Sequence, residues 1–170
     1  MSILSKQADP ANAISVGSPA PDFVLQNERG EAWQLSEKRG EVVALLFYSA
    51  DETLVCTKQL CAVRDDWASY TATGALVVGI SQGTPQAHQQ FAAHHALPLQ
   101  LLADTDGLVT RQYTSGGWMP WWATRALVVV DAKGIIRYRK IMLRVFRPHN
   151  DEVLAAIRMA QYDKIINRNT

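Results

Sequence analysis

The feature that most constrains the fold is "EVVALLFYS", residues 41–49, a continuous β-branched and aromatic run with no polar residue after its first position until the closing serine. Such a run fits a strand buried on both faces of its sheet. "ALVVGIS" (75–81) repeats the pattern. Between the two, residues 54–70 change to helical period: Cys56, Leu60, Val63, Trp67 and Tyr70 fall at steps of four, three, four and three, one apolar stripe along an α-helix. After the second run, "TPQAHQQFAAHH" reads as a helix with Thr84 as its cap and Pro85 at its first position. The chain therefore alternates strand and helix.

The remaining elements complete an α/β layered domain with a mixed central sheet. "DFVLQ" and "AWQLS" around the turn signal "NERGE" predict an N-terminal β-hairpin. "PLQLLAD" gives a further strand and "DGLVTRQY" a short helical turn. "RALVVVDAKGIIRYRK" gives two strands about a turn at Asp131–Gly134, and "HNDEVLAAIRMAQ" a closing helix for which Asn150 is the candidate cap. Residues 1–15 are polar, contain Pro10 and lack periodicity, so they read as a flexible arm; residues 16–170 read as a single domain.

Composition then limits the function. With 170 residues, 48% hydrophobic and 19% charged, and a formal net charge of +1, the chain has material for a full core and no charge bias toward nucleic acid or an anionic membrane. The start "MSILSKQADPANAIS" lacks the apolar region of a secretory signal, and no run is long enough to span a bilayer. A cytoplasmic location is the expectation. There, 2 cysteines do not make a stapling framework, and transient catalytic disulfides are the usual exception.

Both cysteines lie in "YSADETLVCTKQLC". Cys56 belongs to the apolar stripe, whereas Cys61 lies roughly 140° round the helix from it. On a regular helix, Cα atoms five apart are separated by roughly 8.7 Å, beyond the reach of a disulfide. A Cys56–Cys61 bond therefore requires the helix to unwind. Ser49, Asp51 and Thr53 are candidate caps, which puts Cys56 in or near the first helical turn, where unpaired N–H groups and the dipole lower a thiol pKa. Asp51 and Glu52 oppose a thiolate if their side chains approach, so a cation from elsewhere is needed.

The segment "FYSADETLVCTKQLC" resembles the active-site segment of the peroxiredoxins (AhpC/TSA type), and the second cysteine five residues on is similar to the Q-type peroxiredoxins, or bacterioferritin comigratory proteins. The resemblance runs from about Val16 to Ala160 through "VGSPAPDFVLQNERGEAWQLSEKRGEVVALLFY", "GISQGTPQAHQQFAAHHALPLQLLADTDG" and "RALVVVDAKGIIRYR". It implies a thioredoxin-like fold and a thiol-dependent peroxidase acting on hydrogen peroxide or organic hydroperoxides. Cys56 matches the peroxidatic cysteine, which becomes sulfenic acid, and Cys61 the resolving cysteine, which condenses with it to a transient intramolecular disulfide. Thr53 matches the hydroxyl that holds peroxide and thiolate, and Arg125 the arginine that stabilises thiolate and leaving oxygen. A thioredoxin-like dithiol donor restores the thiols. The expectation is no cofactor, no metal, no nucleic-acid or membrane partner, and a monomer or homodimer.

One position departs from the family pattern. The active-site loop, Tyr48 onward, has Ser49 where the family has proline, which gives an ordinary φ range and a donor N–H and predicts a less rigid or more open loop. The alternative this raises is a redox sensor or thiol-disulfide oxidoreductase with weak peroxidase activity, although the Cys-x-x-Cys pair usual in such oxidoreductases is absent. His88, His94 and His95 read as a solvated helix face. The basic residues of "IIRYRKIMLRVFR" read as an outward strand face. "GGWMPWW" leaves two readings open, a loop packed on the core or an apolar pocket wall or dimer contact made by Trp118, Trp121 and Trp122.

Overall fold

A computed structural model of the chain describes residues 14–115 and 124–166, without the side chains of residues 124, 163 and 164. The elements in chain order are β1 (Val24–Asn27), β2 (Ala32–Gln34), β3 (Val43–Phe47), α1 (Leu54–Asp65), α2 (Trp67–Thr73), β4 (Leu76–Ser81), α3 (Pro85–His94), β5 (Gln100–Ala103), α4 (Leu108–Tyr113), β6 (Thr124–Val130), β7 (Ile136–Leu143) and α5 (Asn150–Ile166). The seven strands form one sheet in the order β2-β1-β5-β4-β3-β6-β7. β3, β4 and β5 run parallel, while β6 pairs antiparallel with β3 and β1 antiparallel with β5. This is the mixed-sheet α/β architecture with an N-terminal hairpin that the sequence predicts. No described helix is long and apolar enough to cross a membrane.

The run at 43–47 is buried on both faces, each residue 1% exposed or less. Alternate side chains feed different cores, as the two-residue period of a strand dictates. Ala44 and Leu46 join Cys56, Leu60, Val63, Tyr70, Phe91 and Ile157 on the face covered by α1, α2, α3 and α5. Val43, Leu45 and Phe47 join Phe23, Trp33 and Tyr113 on the other, together with Ile14. The two hairpin turns are set by side chains that replace ladder partners: Asn27 Oδ1 accepts from Arg29 and Glu31 N–H, and Asp131 Oδ1 from Lys133 and Ile135 N–H.

Three local expectations change. The helical stripe at 54–70 spans two helices, because Asp66 leaves the helical region (φ −111°, ψ 24°) and α2 restarts behind it. Asn150 does not cap α5: its side chain is taken by Tyr70 OH and by the carbonyl of Ala62, both at 2.9 Å, so it ties α5 to α1 and α2. The basic face of β7 is partnered, with Arg137 on Asp131, Arg139 on the carbonyls of Tyr113 and Ser115, and Lys140 on Glu152. Thr84 does cap α3, accepting from Ala87 N–H with Pro85 next to it. Trp118, Trp121 and Trp122 lie outside the described residues.

Candidate active site

The site forms where β3 runs into α1. Thr53 occupies the N-cap in extended conformation (φ −78°, ψ 148°), and Cys56 is in the first turn that follows. None of Ser49, Asp51 or Thr53 caps the helix with its side chain: the Thr53 hydroxyl donates back to the carbonyl of Ala50 at 3.1 Å, so the first N–H groups of α1 are left for other partners. Cys56 and Cys61 are free thiols on the same uninterrupted helix, the first fully buried and the second half-buried.

Arg125 is brought to Cys56 by strand pairing. In the β3–β6 register Phe47 lies opposite Ala126, so Arg125, at the start of β6, sits beside the end of β3 where α1 begins. It is 1% exposed. Its Nη2 donates to Cys56 Sγ, its Nη1 to Gln59 Oε1, and its Nε to the carbonyl of Arg144 at 2.8 Å. The guanidinium is thus held on three sides by one side chain, one sulfur and one backbone oxygen. Burial lowers its pKa, and the Cys56 sulfur beside it offsets this only in part. Arginine remains charged in proteins, so the group supplies a fixed cation.

The sulfur has the complementary environment. Burial pushes the Cys56 thiol up, but the Ala50 backbone, the Ser49 and Thr53 side chains and the charge of Arg125 together bring it below its ordinary value. Ser49 Oγ lies 3.3 Å from Cys56 Sγ. The expected opening of the loop is therefore replaced by something else: the side chain standing at the family's proline position hydrogen-bonds to the sulfur, and Cys56 has no exposed surface.

The two acidic residues that threatened the thiolate are occupied elsewhere. Tyr48 OH donates to Asp51 Oδ1 at 2.7 Å, and His88 Nδ1 lies 2.5 Å from Asp51 Oδ2. Burial, followed by the Asp51 charge, raises the Tyr48 pKa well above that of a free phenol, which keeps it a donor. His88 is 0% exposed, so it is not part of a solvated face: it shares the inner stripe of α3 with Phe91, three residues on, and spans from Asp51 to the carbonyl of Ser81. Two glycines make room. A Cβ at Gly79 would come within 3.1 Å of the Tyr48 ring, and one at Gly83 within 2.8 Å of the His88 ring. Glu52 turns to His94 and His95. Hydrogen bonds from these two histidines lower its pKa.

Of the four residues predicted to carry the chemistry, Cys56, Thr53 and Arg125 come together at the start of α1, and Cys61 lies five residues further along the same helix. Sequence reasoning missed Gln59, 2% exposed and bonded to Arg125, and missed His88. Gln59 lies three residues after Cys56 on the side of α1 that meets Arg125; a polar residue one helical turn from a cysteine on the apolar stripe was the available signal. His88 carried no local signal, since Asp51 is 37 residues away.

Known proteins resemble this chain over most of its length. Residues 16–139 match the model of the AhpC/TSA family. The chain is 38% identical to the chloroplastic peroxiredoxin Q of Triticum aestivum over 150 residues, 85% of this chain and 67% of that protein. It is 42% identical to the putative peroxiredoxin bcp of Coxiella burnetii over 101 residues, 59% of this chain and 67% of the relative. Among solved structures, the peroxidoxin BcpB of Mycobacterium tuberculosis superposes with a TM-score of 0.72 at 29% identity, over 85% of this chain and 96% of that one. With a thioredoxin-like mixed sheet, a buried cysteine at a helix start and an arginine delivered to it by the neighbouring strand, this chain belongs to the AhpC/TSA family of peroxiredoxins.

Proposed function

We propose that Cys56 is the peroxidatic residue of a thiol-dependent peroxidase and Cys61 its resolving partner. The contact of Arg125 Nη2 with Cys56 Sγ carries the reading, because a buried cation against a sulfur at a helix start has the form of a thiolate site. The thiolate attacks one oxygen of hydrogen peroxide or an organic hydroperoxide. The O–O bond breaks, Cys56 becomes sulfenic acid, and water or an alcohol leaves after taking a proton. In this reading Arg125, which donates to the Cys56 sulfur, is the preorganised donor that acts on the charge moving from sulfur to leaving oxygen, and the Thr53 hydroxyl joins it once it turns from the Ala50 carbonyl to the peroxide.

The Cys61 sulfur then attacks the Cys56 sulfenic sulfur, expelling water and forming the disulfide. Both sulfurs come from one chain, so the cycle requires no second subunit. A dithiol donor of the thioredoxin type reduces the disulfide by exchange and leaves oxidised itself. A cytoplasmic location is part of the same proposal, since recycling by a dithiol donor needs a reducing compartment. The sensor or oxidoreductase alternative raised by Ser49 is not favoured, since Ser49 adds a hydrogen bond to the sulfur.

One equivalent of hydrogen peroxide should remove both free thiols and leave the intact mass of an internal disulfide. Cys61→Ser should stop at the sulfenic acid, and Cys56→Ser should not react on the same timescale. Retention of both thiols over minutes would reject the peroxidase, and retention of one would remove Cys61 from the cycle.

A further inference from the structure

Glu52 is in the left-handed backbone region (φ 58°), uncommon for a residue with a side chain. That conformation carries its carboxylate to two consecutive histidines at the end of α3. Oε1 lies 2.9 Å from His94 Nδ1 and Oε2 3.1 Å from His95 Nε2. One ligand atom from each of the three residues can be chosen so that all lie within 4.8 Å of one another. The imidazole rings are already side by side, centroids 4.4 Å apart, and His95 is fixed by an edge contact with Phe91 and by Arg64 Nη1 on its carbonyl.

We propose that Glu52, His94 and His95 form a binding site for a borderline divalent cation of the zinc class. Two imidazole nitrogens and one carboxylate are a donor set that suits such ions, with water completing the shell. Ligands on tetrahedral zinc, with bonds of about 2.0–2.1 Å, are about 3.3 Å apart. Each histidine nitrogen already lies against one carboxylate oxygen, and one oxygen with the two nitrogens lies within 4.8 Å, so an ion needs the three ligand atoms to close from at most that separation to this spacing. The side chains of Glu52 and His94 are 50% and 68% exposed, so an ion reaches them directly from solvent. The histidine spacing within α3 holds no carboxylate, which is why the sequence predicts no metal here: the third ligand comes from 42 residues away.

The site has a consequence for the proposed cycle, on which this step alone rests. Glu52 lies in the loop just before Thr53 and α1, so an ion fastens that loop to α3. Cys56 must leave its place to meet Cys61, and a fastened loop slows the disulfide-forming step.

The test begins with zinc and cobalt(II) titrated into Cys56→Ser/Cys61→Ser protein, where no thiol competes, and followed by calorimetry and by the visible absorption of cobalt. One saturable equivalent is expected, weakened about tenfold or more in Glu52→Gln and in His94→Gln variants whose circular dichroism and thermal midpoints match the parent. No saturation, or equal affinity in the variants, overturns the site. In the chain with both cysteines, saturating zinc should slow disulfide formation after a pulse of peroxide, and His94→Gln should abolish the slowing. Binding without slowing overturns the coupling and leaves the site. A chain that forms no disulfide with peroxide rejects the peroxidase reading, while the titration still decides the metal.

Discussion

Ser49 is the residue whose meaning changes most between sequence and structure. As a replacement for proline it predicts a looser loop, yet its hydroxyl lies 3.3 Å from the Cys56 sulfur. Ser49→Ala should therefore raise the Cys56 pKa and slow alkylation near neutral pH by a few-fold, about the effect of one hydrogen bond worth 0.5–1.5 kcal/mol; unchanged thiolate absorbance against pH would contradict it. Arg125→Met removes the buried cation and should lower the rate with peroxide by about 10²–10³-fold, the range for losing a preorganised charge stabiliser. Stopped-flow oxidation measures it. The lowered Cys56 pKa also couples to stability. Between its folded value and the ordinary thiol value of about 8.5, the unfolded chain holds a proton that the folded thiolate has released, so stability rises with pH through that window. The gain is complete above the window and absent below the folded pKa. Denaturant midpoints of the parent and Cys56→Ser should diverge across it, and parallel curves would show that the thiolate is not stabilised by the fold.

Among the elements, α1 has two duties that conflict. Leu60 and Val63 pin it to the core, yet the cysteines it carries cannot meet while it stays helical. Disulfide formation should remove amide-exchange protection from residues 54–61 while leaving β3 protected, and a protected α1 in the oxidised protein would contradict the unwinding. The loop before α1 is held by Tyr48, Asp51 and His88, and this network occupies the space that Gly79 and Gly83 leave open. Gly79→Ala forces its methyl to within 2.9 Å of Leu101 Cδ2 and 3.1 Å of Tyr48. It should cost about 1–3 kcal/mol, the usual range for overpacking a core, and should loosen the active-site loop. Chemical denaturation reads the first effect and Cys56 alkylation the second. The apolar period identified α1, but the break at Asp66 was not legible in it, because a stripe continues across two helices packed on one core.

Across the whole molecule, the order β2-β1-β5-β4-β3-β6-β7 decides what the site contains. β3, which leads into the helix of Cys56, lies between a parallel neighbour and an antiparallel one. The antiparallel strand enters from the side of α1, so its first residues, Arg125 among them, arrive beside Cys56. The parallel strand leads through Ser81 to α3, which delivers His88 to Asp51 and His94 and His95 to Glu52. The sequence by itself determined the fully buried strands, the alternation of strand and helix, the cap of α3, and the placement of Cys56 at a helix start with Cys61 on the same helix. Those follow from periodicity and short-range hydrogen bonding, which act within a few residues. Without family resemblance, it could not supply the partners of Cys56, Asp51 and Glu52, which are 69, 37 and 42 residues from Arg125, His88 and His94. Only the tertiary structure decided those, because strand order and register bring distant side chains together and no local pattern encodes either.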